Sequence, residues 1–259
     1  MKLQGKVVVI TGSGGGIGEA CARRFTTEGA KVVVTDIDQD SVERVSRAIG
    51  SVGLAADVTV EENVQAVADL ATRTYGDIDI WFSNAGVTGP SQPGHIQANG
   101  LWESAWRLHV MSHVYAVRQV LPSMLERGDG YLLQTASVVA LATMPDKATY
   151  AVTKHAALAL AEWLAATVRP KGIKVSCFCP GAMLTPMLLA EGLPADHPMM
   201  QTASTPEEVA ERLVQAIDVE RFLIVDSALG TDALMSKATD YDQWLTDISS
   251  LYAELSKGV

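Results

Sequence analysis

Tyr150 and Lys154 stand four residues apart at the head of a stretch with helical periodicity, so they share one helix face. A free phenol, with a pKa of about 10, is a poor base at neutral pH. A positive charge beside it favours the phenolate. Lowering the phenol by about three units takes roughly 4 kcal/mol of differential stabilisation. Tyr-x-x-x-Lys also occurs as an ordinary exposed helix pair, so the spacing alone proves little. Ser137 precedes Tyr150 by thirteen residues and follows an apolar run. A hydroxyl there can hold a carbonyl oxygen beside the phenol, although a lone serine also serves as a cap or turn residue.

A second constellation lies near the N-terminus. Gly12, Ser13, Gly14, Gly15, Gly16, Ile17 and Gly18 connect the β-branched run Lys6–Thr11 to a helical pattern over Ile17–Gly29. Glycines between a strand and a helix let the backbone approach a pyrophosphate, which sits at the positive helix end. No Gly-Lys-Ser/Thr follows, so this is not the triphosphate loop. Asp36 closes the next β-branched run, 18 residues beyond Gly18. An acidic residue there accepts hydrogen bonds from the adenosine ribose hydroxyls. Its charge repels a 2′-phosphate, and Ile37 offers no compensating cation. NAD is therefore expected rather than NADP, and an oxidised nicotinamide would bring a positive charge beside Tyr150.

The elements that must position these groups alternate. Strands are expected at Lys6–Thr11, Lys31–Asp36, Leu54–Asp57, Ile78–Ser83, Gly130–Thr135, Lys174–Cys179 and Arg221–Val225. Helical patterns fall between them at Ile17–Gly29, Asp40–Gly50, Glu61–Gly76, Trp102–Glu126 (with local breaks) and Tyr150–Arg169. Alternation of this kind predicts a parallel sheet with helices on both faces. Right-handed crossovers then gather the strand C-termini, and the loops after them, at one ligand-binding edge.

Composition narrows the field. The 259 residues are 48% hydrophobic and 19% charged, a globular balance suited to one α/β domain spanning 1–259. Thirty acidic against twenty basic residues give a formal charge of −10. Nucleic-acid binders carry the opposite footprint, a basic stripe, so no nucleic-acid partner is expected. The longest apolar run, His155 to Val168, is broken by Glu162 and falls short of the roughly 20 residues of a membrane span. Only Val7–Ile10 is continuously apolar near the N-terminus, too short for a signal-peptide core. A soluble cytoplasmic protein without a membrane partner is the expectation. Cys21, Cys177 and Cys179 suggest buried thiols rather than disulfides. His109-x-x-x-His113 has ligand spacing but no third ligand, so no metal is expected.

Taken together, Thr11-Gly-x-x-x-Gly16-x-Gly18, Asn84-Ala85-Gly86, Ser137, Tyr150-x-x-x-Lys154 and Pro180-Gly181-x-x-x-Thr185 resemble the short-chain dehydrogenase/reductase family, in its shorter branch. The resemblance covers about residues 5 to 190 in the family's order. It implies a single Rossmann-type, doubly wound sheet of about seven strands and an NAD(P)-dependent oxidoreductase acting on an alcohol or carbonyl. Tyr150 would be the general acid/base and Ser137 would position the substrate oxygen. Lys154 would lower the phenol pKa and bind the nicotinamide ribose. Asp57 and Val58 would meet the adenine; Asn84, Ala85 and Gly86 would line the cofactor trough. Pro180, Gly181, Met183 and Thr185 would hold the carboxamide end. A homo-dimer or homo-tetramer is implied as well.

Three features depart from the family pattern. Position 83 is Ser where a second Asn is usual. His109 stands where the family carries an Asn of its proton relay. With an unperturbed pKa of about 6.5 it can titrate in the working range. Either it replaces that Asn, or it is a packed histidine and water takes over. Finally, 32 residues follow Ser227. Tyr241, Trp244, Leu245, Ile248, Leu251, Tyr252 and Leu255 form a helical stripe in this 228–259 extension. It covers its own subunit, crosses an interface or caps the pocket.

The substrate lid is expected at about 186–203. Met187 and Leu188, with Val139 and Met144 after Ser137, predict a largely apolar pocket. A hydrophobic secondary alcohol or its ketone is the expected substrate. The alternatives are an NADPH-dependent carbonyl reductase and a dinucleotide-binding sensor without turnover.

Overall fold

β-branched and aromatic residues fill the sheet because they pack well on a pleated surface. In the computed structural model, which describes residues 1–91 and 94–255, the strands are β1 (Val7–Thr11), β2 (Lys31–Asp36), β3 (Val52–Ala55), β4 (Ile80–Ser83), β5 (Gly130–Thr135), β6 (Ile173–Cys179) and β7 (Leu223–Val225). All pair in parallel, in the order β3-β2-β1-β4-β5-β6-β7. This is the parallel seven-stranded sheet that the alternation predicts, in the Rossmann-like form that the family resemblance implies. Val9 sits opposite Val33 on one side and Trp81 on the other. The direction of strand succession reverses between β1 and β4, which opens a crevice above their C-terminal ends.

Helices cover both faces. On one, α1 (Gly16–Thr27), α2 (Gln39–Ile49) and α9 (Pro206–Asp218) bury Phe25, Val42, Val45 and Leu213 against Val8, Ile10, Val34 and Phe82. On the other, α3 (Glu61–Tyr75), α5 (Ser112–Arg127) and α6 (Ala148–Val168) bury Val64, Val67, Val120, Met124 and Leu164 against Val9, Val33, Trp81 and Leu132. Both strand faces are apolar, which is why the strands lack polar alternation. The Ala148–Val168 helix places Tyr150 in its first turn.

Several boundaries differ from expectation for physical reasons. The third strand ends at Ala55, because Asp57 turns out of the sheet and accepts hydrogen bonds from the N–H and hydroxyl of Thr59 at 2.9 and 2.7 Å. The break within 102–126 is a π-helical turn, Arg107–Met111, between α4 (Asn99–Trp106) and α5. Such turns widen a helix by one residue and often sit at functional sites. Helix α9 is absent from the sequence-level reading, although Thr205 and Glu208 form a reciprocal capping box there.

The lid contains two short helices, α7 (Pro186–Leu189) and α8 (Pro198–Gln201). The extension forms α10 (Ala228–Thr239) and α11 (Tyr241–Leu255); residues 256–259, and the Leu255 side chain of the expected stripe, lie outside the described residues. Helix α10 packs on β7 and on the short turn Val138–Ala140 of its own chain. Trp244 is buried, with the Lys237 ammonium 4.8 Å from its ring centroid. Among the described residues, no helix is long and apolar enough to cross a membrane.

Candidate active site

The C-terminal ends of β1, β4, β5 and β6 carry the residues singled out by spacing. At the end of β1, the glycine turn folds tightly onto α1. A Cβ on Gly18 would fall 2.1 Å from the Gly12 carbonyl oxygen, so only glycine allows this approach of helix to strand. The opening N–H groups of α1 have no partner within the helix. Ser13 is wholly buried and its hydroxyl donates to the Ile10 carbonyl at 2.7 Å, so it fastens the turn from behind. Asn84 does the same from β4: its amide donates to the carbonyls of Thr11 and Gly12 at 3.1 and 3.3 Å.

Asp36 closes the pocket from β2. One carboxylate oxygen accepts the Gly14 N–H at 3.0 Å, which fixes the side chain at the mouth of the turn; Ile37 beside it is exposed. The spacing argument missed Arg44. Its guanidinium reaches back from α2 to the Gly14 carbonyl at 2.7 Å and grips both oxygens of Glu19 at 2.8 and 2.7 Å. A cation therefore stands at the ribose edge with its charge already matched. These residues fit a dinucleotide: a turn free of side chains, a helix N-terminus for the pyrophosphate and a carboxylate for the ribose hydroxyls.

The second group gathers at β4, β5 and α6. Ser137 is buried just beyond β5, and its hydroxyl accepts the Val139 N–H at 3.2 Å. Burial pushes the Tyr150 phenol up, and its hydrogen bond with Ser137 pulls part of the way back. Lys154 is 2% exposed; its ammonium donates to the Thr135 carbonyl at 3.1 Å and lies 5.7 Å from the Tyr150 ring centroid. Desolvation brings that ammonium down to about 8. Gly86 leaves room for it: a Cβ there would lie 3.3 Å from Lys154 Nζ and 3.5 Å from the His109 ring.

His109 occupies the π-helical turn, edge-on to Tyr150 at a centroid distance of 5.7 Å. Its Nε2 accepts the Val87 N–H at 3.2 Å, which leaves the proton on Nδ1. That proton faces Thr153 Oγ1 at 2.8 Å, and the threonine hydroxyl donates onward to the Thr149 carbonyl at 2.7 Å. Burial, with repulsion from Lys154, drives the imidazole down to about 2. A neutral imidazole protonated on Nδ1 fits these two contacts, whether His109 stands in for the relay Asn or is a packed histidine. One turn on, His113 is equally buried beside Gln134 and falls to about 3 for the same reasons. Nothing in the spacing distinguished His113 from a core residue. Among the described residues, no group of three His, Cys, Asp or Glu is arranged to hold a metal.

The expected pocket residues flank this centre unevenly. Val139 and Leu188 are buried, Met144 is half-buried and Met187 is exposed. Met183 is buried and bridges Ser204 across the base of the lid. Thr185 caps α7 and its Cγ2 approaches the glycine turn. The Pro180 carbonyl accepts the Val138 N–H at 2.9 Å, tying β6 to the Ser137 loop.

Residues 6–193 match the family model described as short chain dehydrogenase. The chain belongs to this family. A 1-deoxy-11-beta-hydroxypentalenate dehydrogenase of Streptomyces exfoliatus is 36% identical over 243 residues, covering 88% of this chain and 85% of the relative. A short-chain dehydrogenase/reductase from Burkholderia phymatum, solved with NAD, superposes with a TM-score of 0.84 at 28% identity, over 94% of this chain and 96% of that one. The L-sorbose reductase of Gluconobacter frateurii, solved with NADPH and L-sorbose, gives 0.78 at 29% identity, over 87% and 97%. As a short-chain dehydrogenase, the protein is an oxidoreductase with a nucleotide-binding Rossmann fold, acting between alcohol and carbonyl with NAD or NADP.

Proposed function

We propose that the protein is an NAD-dependent dehydrogenase of the cytoplasm, one catalytic unit, that interconverts a hydrophobic secondary alcohol and its ketone. The observation that carries the reading is the convergence of the Ser137 hydroxyl, Tyr150 phenol and Lys154 ammonium at one point of the sheet edge, beside Gly86. Bound in the crevice, the nicotinamide supplies the hydride acceptor or donor and, when oxidised, a positive charge near the phenol. Ser137 holds the substrate oxygen. Tyr150 takes the hydroxyl proton in oxidation and returns it in reduction. Lys154, anchored on the Thr135 carbonyl, stabilises the phenolate and is placed to meet a ribose hydroxyl.

His109 acts in this scheme as a positioning residue, since both its nitrogens are already engaged. The proton then leaves Lys154 through water rather than through imidazole titration. Asp36 supports NAD over NADP by repelling a 2′-phosphate. Val139, Leu188, Met144 and Met187 support an apolar substrate. Trp163, Val152 and Trp106 are exposed on α6 and α4, which supports a homo-dimer or homo-tetramer.

The test is NADH formation at 340 nm across a panel of hydrophobic secondary alcohols, with NAD and NADP in parallel. Turnover with NAD is expected, and Tyr150→Phe should lower it about 10²–10⁴-fold while NADH still binds. A Tyr150→Phe protein as active as the parent sinks the mechanism. Equal use of NADP sinks the Asp36 argument, and sedimentation of the same preparation as a monomer removes the oligomer. NADH binding without turnover of any panel member would mean either a polar substrate, which sinks the apolar-pocket reading, or a sensor in place of an enzyme.

A further inference from the structure

Three segments that follow β4, β5 and β6 at the C-terminal sheet edge are joined by one carboxylate. Thr88 lies in the loop after β4, Lys147 immediately before α6 in the segment after β5, and Glu191 two residues past α7 in the lid after β6. Glu191 Oε1 accepts the Lys147 ammonium at 2.5 Å and the Thr88 hydroxyl at 3.0 Å. The Lys147 side chain is 7% exposed and that of Glu191 28%. The lid is pinned at its base, where Leu184 N–H donates to the Ser204 carbonyl at 2.9 Å and Ser204 N–H to the Ala182 carbonyl at 3.1 Å. Glu191 then ties the lid to the segments after β4 and β5. Lys147 is thus a buried cation three residues before Tyr150, on the same helix end.

We propose that Glu191 sets the charge selectivity of the cleft: its carboxylate occupies Lys147 and refuses substrates bearing a carboxylate, and Glu191→Gln opens an anion subsite there. The inference rests on the alcohol-dehydrogenase reading of the same cleft and specifies its substrate as uncharged. Three physical points support it. An acid reaching Lys147 must displace an intramolecular partner, which acts at an effective concentration on the order of millimolar or higher. The displaced Glu191 would stay nearby as a like charge and repel the newcomer. A neutral alcohol carries no charge for Lys147 and leaves the pair intact. Burial pushes the Glu191 carboxyl up, but the Lys147 bond and charge and the Thr88 hydroxyl together hold it below the usual carboxylate range. It is therefore ionised at neutral pH. In the Glu191→Gln variant the amide oxygen would keep the Thr88 bond while leaving a buried ammonium unmatched, and an unmatched buried charge strongly favours an incoming anion.

The test uses two matched pairs of secondary alcohols, 4-hydroxycyclohexanecarboxylate with its methyl ester and cholate with its methyl ester. Calorimetric binding to the protein–NADH complex and turnover with NAD are both read. Wild type should favour each ester over its acid about tenfold or more. Glu191→Gln should tighten binding of the acids at least tenfold with the esters little changed. Glu191→Gln combined with Lys147→Met should abolish the gain. Acids bound no more tightly by Glu191→Gln than by wild type overturn the inference. A gain that survives in the double variant also overturns it, because loosening of the lid would then be the cause. Turnover of no alcohol, with the acid-binding shift still present, would overturn the dehydrogenase reading and leave the charge selectivity standing.

Discussion

The two halves of the ligand edge are held by different means. Around β1 and β2 the wall is main chain braced by side chains: Gly18 lies against the Gly12 carbonyl, and Ser13, Asn84 and Asp36 each bond a main-chain group, of Ile10, Thr11 and Gly14. Around β4, β5 and β6 side chains also reach one another, His109 to Thr153 and Glu191 to Lys147 and Thr88, with Lys154 held on the Thr135 carbonyl. A backbone cradle suits a partner of constant shape. A wall of side chains can be changed residue by residue without disturbing the sheet. The difference teaches where substitutions should break the protein and where they should retune it.

The sharpest way to break the second half is acid, because its two histidines are buried without charge. An imidazole in the unfolded chain titrates at about 6.5. In the folded protein burial, reinforced by Lys154, holds His109 down to about 2 and His113 to about 3. Both are neutral in both states above pH 6.5, so neither makes stability depend on pH there. Below it the unfolded chain binds two protons that the folded protein does not. Each costs roughly 1.4 kcal/mol per pH unit until the folded value is reached. Urea titrations at pH 7, 6 and 5 should therefore show His113→Phe losing less stability with acid than the parent, by about 1.4 kcal/mol per unit. Parallel slopes would mean that His113 is protonated in place, paired with Gln134.

The first half should break by crowding. A methyl group on Gly18 lands on the Gly12 carbonyl, which belongs to backbone and cannot swing away. Gly18→Ala should cost about 1–3 kcal/mol, as overpacking does, and weaken NADH binding together with stability. Loss of binding at unchanged thermal stability would show that the turn yields and the helix does not.

Much of this was legible in the sequence, and the reasons are local. Strands buried on both faces announce themselves as β-branched runs, and Val7–Ile10, Val32–Val34 and Gly130–Thr135 fall where expected. Gly18 and Asp36 carry their meaning in spacing along β1–α1–β2, and Tyr150 and Lys154 in spacing along one helix. What escaped depends on contacts between distant segments. The state of His109 is decided by the Val87 N–H, 22 residues away, and by Thr153, 44 residues on. The match of Lys147 with Glu191 spans another 44 residues. Helix α9 is the exception, since its capping box is local and was open to reading.

Arg44 offers the finest discrimination between the halves, because it is a side-chain device within the backbone-built one. Its guanidinium borders the turn at Gly14, where a 2′-phosphate would come near, yet both oxygens of Glu19 hold it. The phosphate would meet a matched Arg44–Glu19 pair and the Asp36 carboxylate. Glu19→Gln releases the positive charge while keeping one hydrogen-bond acceptor. The site is exposed and screened by salt, so the gain is small. NADPH should bind a few-fold more tightly to Glu19→Gln than to the parent at low ionic strength, with NADH unchanged, in a fluorescence titration of both. The advantage should shrink as salt is added, since it is Coulombic. An equal gain for the two cofactors would show that Glu19 shapes the turn itself, and Arg44 would then belong with Ser13 and Asn84 among the groups that brace it.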